Sequence, residues 1–232
     1  EHILRAAGRQ FAAGVEQQGW LPTSGKGVKT RVADDRIWLP FVAEHYLKAT
    51  QDFAILDEPL PFLAGDPLPA DSQEVFSAPD FTADTATLFE HCVRALDSSL
   101  TIGSHGLPLF GTGDWNDGMN RVGAAGRGES VWMGWFLHAT LLRFAPIADA
   151  RGEAATAAQW RKHAFALQQA IEREAWDGDW YRRGYYDDGT PLDVRSVRRV
   201  LRGLEDLGWI AVDRRAGYRG RHVYTVFEEP TQ

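Results

Sequence analysis

The sequence predicts a mainly α protein, built from long helices packed as hairpins and ending in a short helix-plus-hairpin tail. Three observations lead there. Apolar residues recur at helical spacing through several long segments. Gly-, Pro- and Asp-rich stretches separate those segments, and strand-like alternation is scarce before the tail. Of 232 residues, 44% are apolar, enough for a buried core and too many for a disordered chain.

The elements follow in order. Residues 2–15 place Ile3, Leu4, Ala7 and Phe11 on one face of an expected helix. A loop with Pro22 and three glycines, 18–35, comes next. Asp34 and Asp35 then open a helix carrying Ile37, Trp38, Phe41, Val42, Tyr46 and Leu47, with carboxylates suited to its positive end. Residues 59–79 read as a proline-punctuated connection. Residues 82–100 read as a helix with Leu88, Val93, Leu96 and Leu100 inward, capped by Asp84 or Thr85. Six further glycines after Gly106 deny residues 103–128 a regular element. Helices resume over 129–144 and 153–175. Long loops between packed helices are where function usually sits.

Charge divides the chain. Residues 194–232 hold eight arginines against five acids, a net of +3, which leaves −10 of the total −7 on residues 1–193. That acidic body argues against whole-surface nucleic-acid binding. A single cysteine, Cys92, excludes an intramolecular disulfide framework and a cysteine metal cluster. No run approaches the ~18 apolar residues of a membrane span, and the charged N-terminal segment does not read as a signal peptide. The first residue is Glu1 rather than methionine, so the chain is expected to be part of something larger. Nine tryptophans are many for one chain. The flat face and single N–H of Trp suit carbohydrate rings, although a large core also explains them.

The most informative stretch is the loop Gly111-Thr-Gly-Asp-Trp-Asn-Asp-Gly-Met-Asn120. It sets Asp114 and Asp117 three residues apart around Trp115 and Asn116. Asp and Asn in a glycine loop often do no more than cap backbone groups. The tryptophan favours another reading. A large ring in such a loop has no local structural purpose, whereas a ring that stacks on a sugar beside a proton donor does. A departing glycosidic oxygen needs a carboxylic acid to protonate it.

Gly113-Asp-Trp-Asn-Asp-Gly-Met-Asn120 together with Gly128-Glu-Ser-Val-Trp-Met-Gly-Trp135 closely resembles glycoside hydrolase family 94, the inverting glycoside phosphorylases. Residues 27–40 and 88–97 resemble its cyclic β-1,2-glucan synthase branch, and residues 176–192 resemble the same family. The resemblance covers about residues 1–192 and implies an (α/α)6 barrel, here partial. It makes Asp117 the general acid and Asp114 structural. Trp115 would pack on the sugar, with Arg31 on a sugar hydroxyl or the phosphate edge. Asn116, Asp34, Asp35 and Trp20 complete the implied substrate set, helix capping being the other reading of Asp34 and Asp35. Two departures stand out: Val32 replaces an aspartate after Arg31, and Gln18-Gly19-Trp20 replaces His-Trp-Trp.

No resident cofactor is implied; inorganic phosphate or a sugar 1-phosphate serves as co-substrate, and a β-glucan oligosaccharide as substrate. An inverting hydrolase needs a second carboxylate to activate water, but phosphate arrives already anionic. The family's phosphate-binding histidine and Thr-Gly pair have no counterpart here, so this 232-residue chain is expected to be inactive alone. A carbohydrate-binding remnant without turnover is the variant of that reading. An open barrel wall would favour self-association as a homo-oligomer. The expected location is the cytoplasm, compatible with an inner-membrane anchor of the parent protein. His45, His91, His138 and His163 read as core or surface residues, no pair having metal spacing. Cys92 reads as buried, and Glu129 and Ser130 either line the pocket or cap the helix after them.

The tail, 194–232, resembles the recognition helix and wing of a winged helix. Val197, Val200, Leu201, Leu204 and Leu207 form its stripe and Gly208 its cap, followed by a hairpin with a basic tip. DNA contact would fall to Arg195, Arg198, Arg199, Arg202, Arg219 and Arg221. The two scaffold helices of that fold are missing, so specific DNA binding is not expected. A cover for a barrel face and an accidental fusion or frameshift at the join are the other readings.

Overall fold

The computed structural model describes residues 1–69, 72–178, 180–192, 205–213 and 223–226; the side chains of residues 117, 212, 213, 223, 224 and 226 lie outside the description. Five α-helices carry the described chain: α1 (His2–Ala7), α2 (Asp35–Thr50), α3 (Leu88–Ser98), α4 (Val131–Ala150) and α5 (Ala154–Ala170), the last continued by a π turn over Ile171–Ala175. Short strands decorate them: β1 (Gln17–Gln18), β2 (Gly27–Thr30), β3 (Pro59–Leu63), β4 (Glu74–Ser77), β5 (Phe81–Thr87), β6 (Glu129–Ser130), β7 (Gly184–Tyr185), β8 (Pro191–Leu192), β9 (Ile210–Asp213) and β10 (Val223–Val226). The architecture is helical with small antiparallel sheets. The chain divides into two units, Glu1–Pro191 and Leu192–Gln232.

In the first unit α2, α3, α4 and α5 enclose the main core. Arg151, Gly152 (φ +85°) and Glu153 turn the chain from α4 into α5, so the two pack as a hairpin. At the centre Trp160 is fully buried, with its ring edge-on to Phe144 at 6.0 Å. Phe144 in turn stacks on Phe89 at 6.2 Å. The Trp160 Nε1–H donates to Asp97 at 2.8 Å, so the indole is buried with its one polar group satisfied. Trp160→Ala would cost about 3–5 kcal/mol. A smaller cluster of Leu107, Val131, Ile171 and Tyr185 lies beneath the glycine-rich loop.

Several expectations need correction. The first helix stops at Ala7, not near Val15, because residues 10 and 11 commit their backbones to extended pairing. Gln10 bridges Glu16, and Phe11 bridges Leu63. The expected helix over 82–100 is a strand followed by a helix. Phe81–Thr87 pairs antiparallel with β3, whose prolines sit where a two-stranded sheet tolerates missing donors. The helix begins only at Leu88, capped by Thr87 rather than Asp84 or Thr85. Thr87 Oγ1 accepts from the Glu90 amide at 3.2 Å, and Glu90 accepts from the Thr87 amide at 2.7 Å, a reciprocal capping box. The connection 59–79 is likewise not bare loop, since it supplies β3 and β4.

The second unit is described only in part. β9 and β10 pair antiparallel with Val226 opposite Ile210, which is the expected hairpin. Arg195, Arg198, Arg199 and Arg202, and the basic tip with Arg219 and Arg221, lie outside the described residues. So does most of the expected helix, of which Glu205 and Asp206 are helical. Among the described residues no helix is long and apolar enough to cross a membrane.

Candidate active site

Two segments far apart in sequence meet through their backbones. Val32 and Gly111 form an antiparallel bridge; the Thr112 amide donates to the Arg31 carbonyl at 3.2 Å, and the Ala33 amide to the Gly113 carbonyl at 2.9 Å. Gly111 makes this approach feasible. Its φ is +63°, and a Cβ there would lie 2.0 Å from the Arg31 carbonyl oxygen. The Arg31–Asp35 stretch and the Asp114–Asp117 loop are therefore neighbours.

Asp114 is wholly buried and fully engaged. Arg183 Nη2 donates to its two oxygens at 2.5 and 2.6 Å. Ser130 Oγ donates to Oδ2 at 2.7 Å, and the Asn116 amide to Oδ1 at 3.2 Å. Ser130 is also the N-cap of α4, accepting from the Met133 amide at 3.1 Å. The first turn of α4 is thereby tied to the glycine loop. Burial of this charge is tolerable because it is paired and hydrogen-bonded on both oxygens.

Trp115 points outward, 58% exposed, with its ring 6.2 Å from that of Trp132 on α4. Asn116 accepts from the Gly118 amide at 3.1 Å and so caps a single 3-10 turn, Asp117–Met119. Asp117 begins that turn; its side chain lies outside the described residues.

The other candidates each make contacts of their own. Arg31 spends its guanidinium on the loop between β3 and β4: Nε donates to the Ser72 carbonyl at 3.0 Å, and Nη2 to those of Leu68 and Pro69 at 3.1 and 2.7 Å. Lys29 does the same, donating to the Asp66 carbonyl at 2.7 Å while lying over the Phe11 ring. Burial pushes the Lys29 ammonium below its ordinary range, with Asp66 opposing. Both side chains, with Arg36, line a cleft of about 640 Å³ that borders the loop at Gly111 but not at Trp115. Asp34 occupies the N-cap position of α2 without a side-chain cap bond; it accepts from Trp38 Nε1 at 2.9 Å. Asp35 accepts from Thr30 Oγ1 at 2.9 Å. Trp20 lies in a different cleft, of about 380 Å³, under the Arg9 guanidinium.

Three residues hold this region together, two of them, Arg183 and Asp187, beyond the predicted set. Arg183 is one; a buried loop aspartate requires a cation, but only the fold says which. Glu129, 1% exposed, accepts from the His105 and Leu107 amides at 2.9 and 3.1 Å and meets His105 Nδ1 at 2.5 Å. His105 stacks on Tyr185 at 3.7 Å. Asp187 accepts from the amides of Ala125, Arg127 and Gly128 at 2.8–2.9 Å. Partial burial raises its carboxyl, but the three amides and Arg127 outweigh that and hold it below the usual aspartate range. The segment Arg182–Asp187 thus grips the glycine-rich loop at both ends. Among the described residues no cluster of His, Cys, Asp and Glu is fit to hold a metal ion.

A mainly helical chain with a glycine loop of this kind fits a catalytic domain of the glycosyl hydrolase type. The chain belongs to the Glycosyl hydrolase 94 superfamily, whose catalytic-domain description matches residues 1–199. It is 49% identical over 191 residues to the cyclic beta-(1,2)-glucan synthase NdvB of Rhizobium meliloti, covering 82% of this chain and 7% of that protein. It is 31% identical over 212 residues to the cellobionic acid phosphorylase of Neurospora crassa, covering 89% of this chain and 24% of that enzyme. The solabiose phosphorylase of Paenibacillus borealis is 31% identical over 211 residues, 90% of this chain and 25% of that enzyme. The chain therefore spans a quarter or less of the length of these relatives.

Proposed function

We propose that residues 1–193 are the acid-bearing part of an inverting phosphorylase domain acting on β-linked glucans, and that its helices belong to an (α/α)6 barrel. One observation carries the reading. Asp114 is consumed by Arg183 and Ser130 while Trp115 beside it stands exposed. That leaves Asp117 as the loop's carboxylate for proton transfer and Trp115 as the ring for the sugar. In the reaction, phosphate oxygen attacks the anomeric carbon from the face opposite the leaving group. The C–O bond to the departing sugar breaks as Asp117 hands its proton to that oxygen, and a sugar 1-phosphate forms. Proximity and orientation of phosphate supply much of the rate, so the complete domain is the working unit. The 49% identity to a cyclic β-1,2-glucan synthase favours β-1,2-linked substrate over the linkages of the phosphorylases at 31%.

The test replaces the matching 191 residues of the Rhizobium meliloti protein with those of this chain. Release of glucose 1-phosphate from β-1,2-gluco-oligosaccharides in phosphate is the readout. The chimera should turn over, and Asp117→Asn within it should lose about 10²–10⁴ in rate, the worth of general acid catalysis. An Asp117→Asn chimera as active as its parent would refute the assignment.

A further inference from the structure

An aromatic series leaves the candidate site across the first turns of α4. It starts at Trp115 on the acid loop and passes to Trp132 at 6.2 Å. Trp132 and Trp135 are i, i+3 neighbours on α4, whose side chains share a face. Trp135 meets Tyr181 edge-on at 5.6 Å, and Tyr181 meets Trp176 at 5.0 Å. Trp176 and Tyr181 are bridge partners in a tight hairpin, closed by the Asp177 amide on the Trp180 carbonyl at 3.0 Å. Trp176, Trp180 and Tyr181 are 44%, 58% and 41% exposed.

We infer that this series is a binding track for an extended β-linked gluco-oligosaccharide running outward from the candidate site, an inference that rests on the proposed glucan chemistry. Exposed aromatic patches mark interaction sites, and the chemistry between the rings selects the partner. Here charged groups flank them: Glu172 accepts the Tyr181 hydroxyl at 2.8 Å, and Arg173 pairs with Glu174 at 2.7 Å. Such groups bond sugar hydroxyls, while the ring faces take the C–H faces of the sugar. The hairpin is also anchored to the acid loop. Arg183, two residues past Tyr181, is the cation that holds Asp114. A track of several rings exceeds the reach of one sugar unit, so it fits a chain rather than a monosaccharide.

Calorimetric titration of the whole 232-residue chain with β-1,2-gluco-oligosaccharides, from disaccharide to hexasaccharide, tests this. Affinity should rise with length. Trp176→Ala should remove roughly three- to tenfold of the hexasaccharide affinity, the worth of one aromatic contact, and leave the disaccharide unchanged. Trp176→Phe should recover part of it and melt with the parent, because Trp176 is 44% exposed. Trp115→Ala should weaken every length. Affinity independent of length, yet still sensitive to Trp115→Ala, overturns the track and spares the proposed function. Hexasaccharide binding untouched by Trp176→Ala does the same. No binding at any length overturns both.

Discussion

Arg183 grips both oxygens of Asp114 across 69 residues of chain, at 2.5 and 2.6 Å, and with Ser130 it fixes the loop that carries Trp115 and Asp117. The pair is buried on the carboxylate side and a quarter exposed on the arginine side. Its loss would therefore be felt in stability before chemistry. Asp114→Asn should destabilise the chain by about 3 kcal/mol, the low end for a broken buried pair, because Arg183 then keeps its charge with no counterion. Thermal melting of Asp114→Asn and Arg183→Gln reads this out. Equal melting temperatures for both variants and the parent would refute it.

Asp187 supplies a pH dependence. Its carboxyl is held below the ordinary value of 3.8, so it contributes stability that is complete above that value and lost as pH falls through its lower folded value. Asp187→Asn should flatten the acid limb of a melting-temperature profile below about pH 4. Hydrogen exchange at the Arg127 and Gly128 amides should quicken in the same variant. An unchanged acid limb would show that other carboxylates dominate it.

Glu16 works in the opposite sense. Its Oε1 is buried without a hydrogen-bond partner among the described residues, and burial, with Asp35 adding to it, pushes the carboxyl well above its usual 4.5. An acid raised in the fold loses stability as pH rises from its unfolded value through its folded one. Glu16→Gln should therefore raise the melting temperature at pH 7, with the gain vanishing below pH ~4. A gain of the same size at both pH values would point to packing instead.

Arg31 presents its guanidinium to three carbonyls of the loop between β3 and β4. Arg31→Ala should release that loop, making residues 64–73 the first site of limited proteolysis. Each hydrogen bond from a charged donor is worth about 1.5–3 kcal/mol, so the effect should be plain. Proteolysis at the parent's rate and sites would mean that Lys29, bonded to Asp66, suffices to hold it.

Gly103 faces Glu129 so closely that a Cβ would lie 2.4 Å from its side chain. Gly103→Ala must push Glu129 from the His105 and Leu107 amides. Melting should show a loss of about 1–3 kcal/mol, the cost of leaving buried donors unmet. A neutral result would mean that the loop shifts as a body.

The long helices were legible in the sequence because their signals are local. Apolar spacing, Ser130 before Val131 and the acids at Asp34 and Asp35 each act within one or two turns. Phe81–Thr87 was misread for the converse reason. Its alanines and threonines suit either state, and it is a strand because β3 lies alongside to receive its backbone bonds. Thr87-x-x-Glu90 was the local clue to the true helix start.

By itself the sequence determined the helical class, the division in charge near residue 194 and the loop that carries Asp114, Trp115 and Asp117. Those are properties of composition and of contiguous residues. Only the tertiary structure decided what holds Asp114. It assigned Arg183 to Asp114, gave Arg31 to backbone carbonyls, and set Trp20 under the Arg9 guanidinium. A buried charge needs a partner, but which of many arginines provides it depends on distances across the fold. Residue order along the chain does not encode those distances.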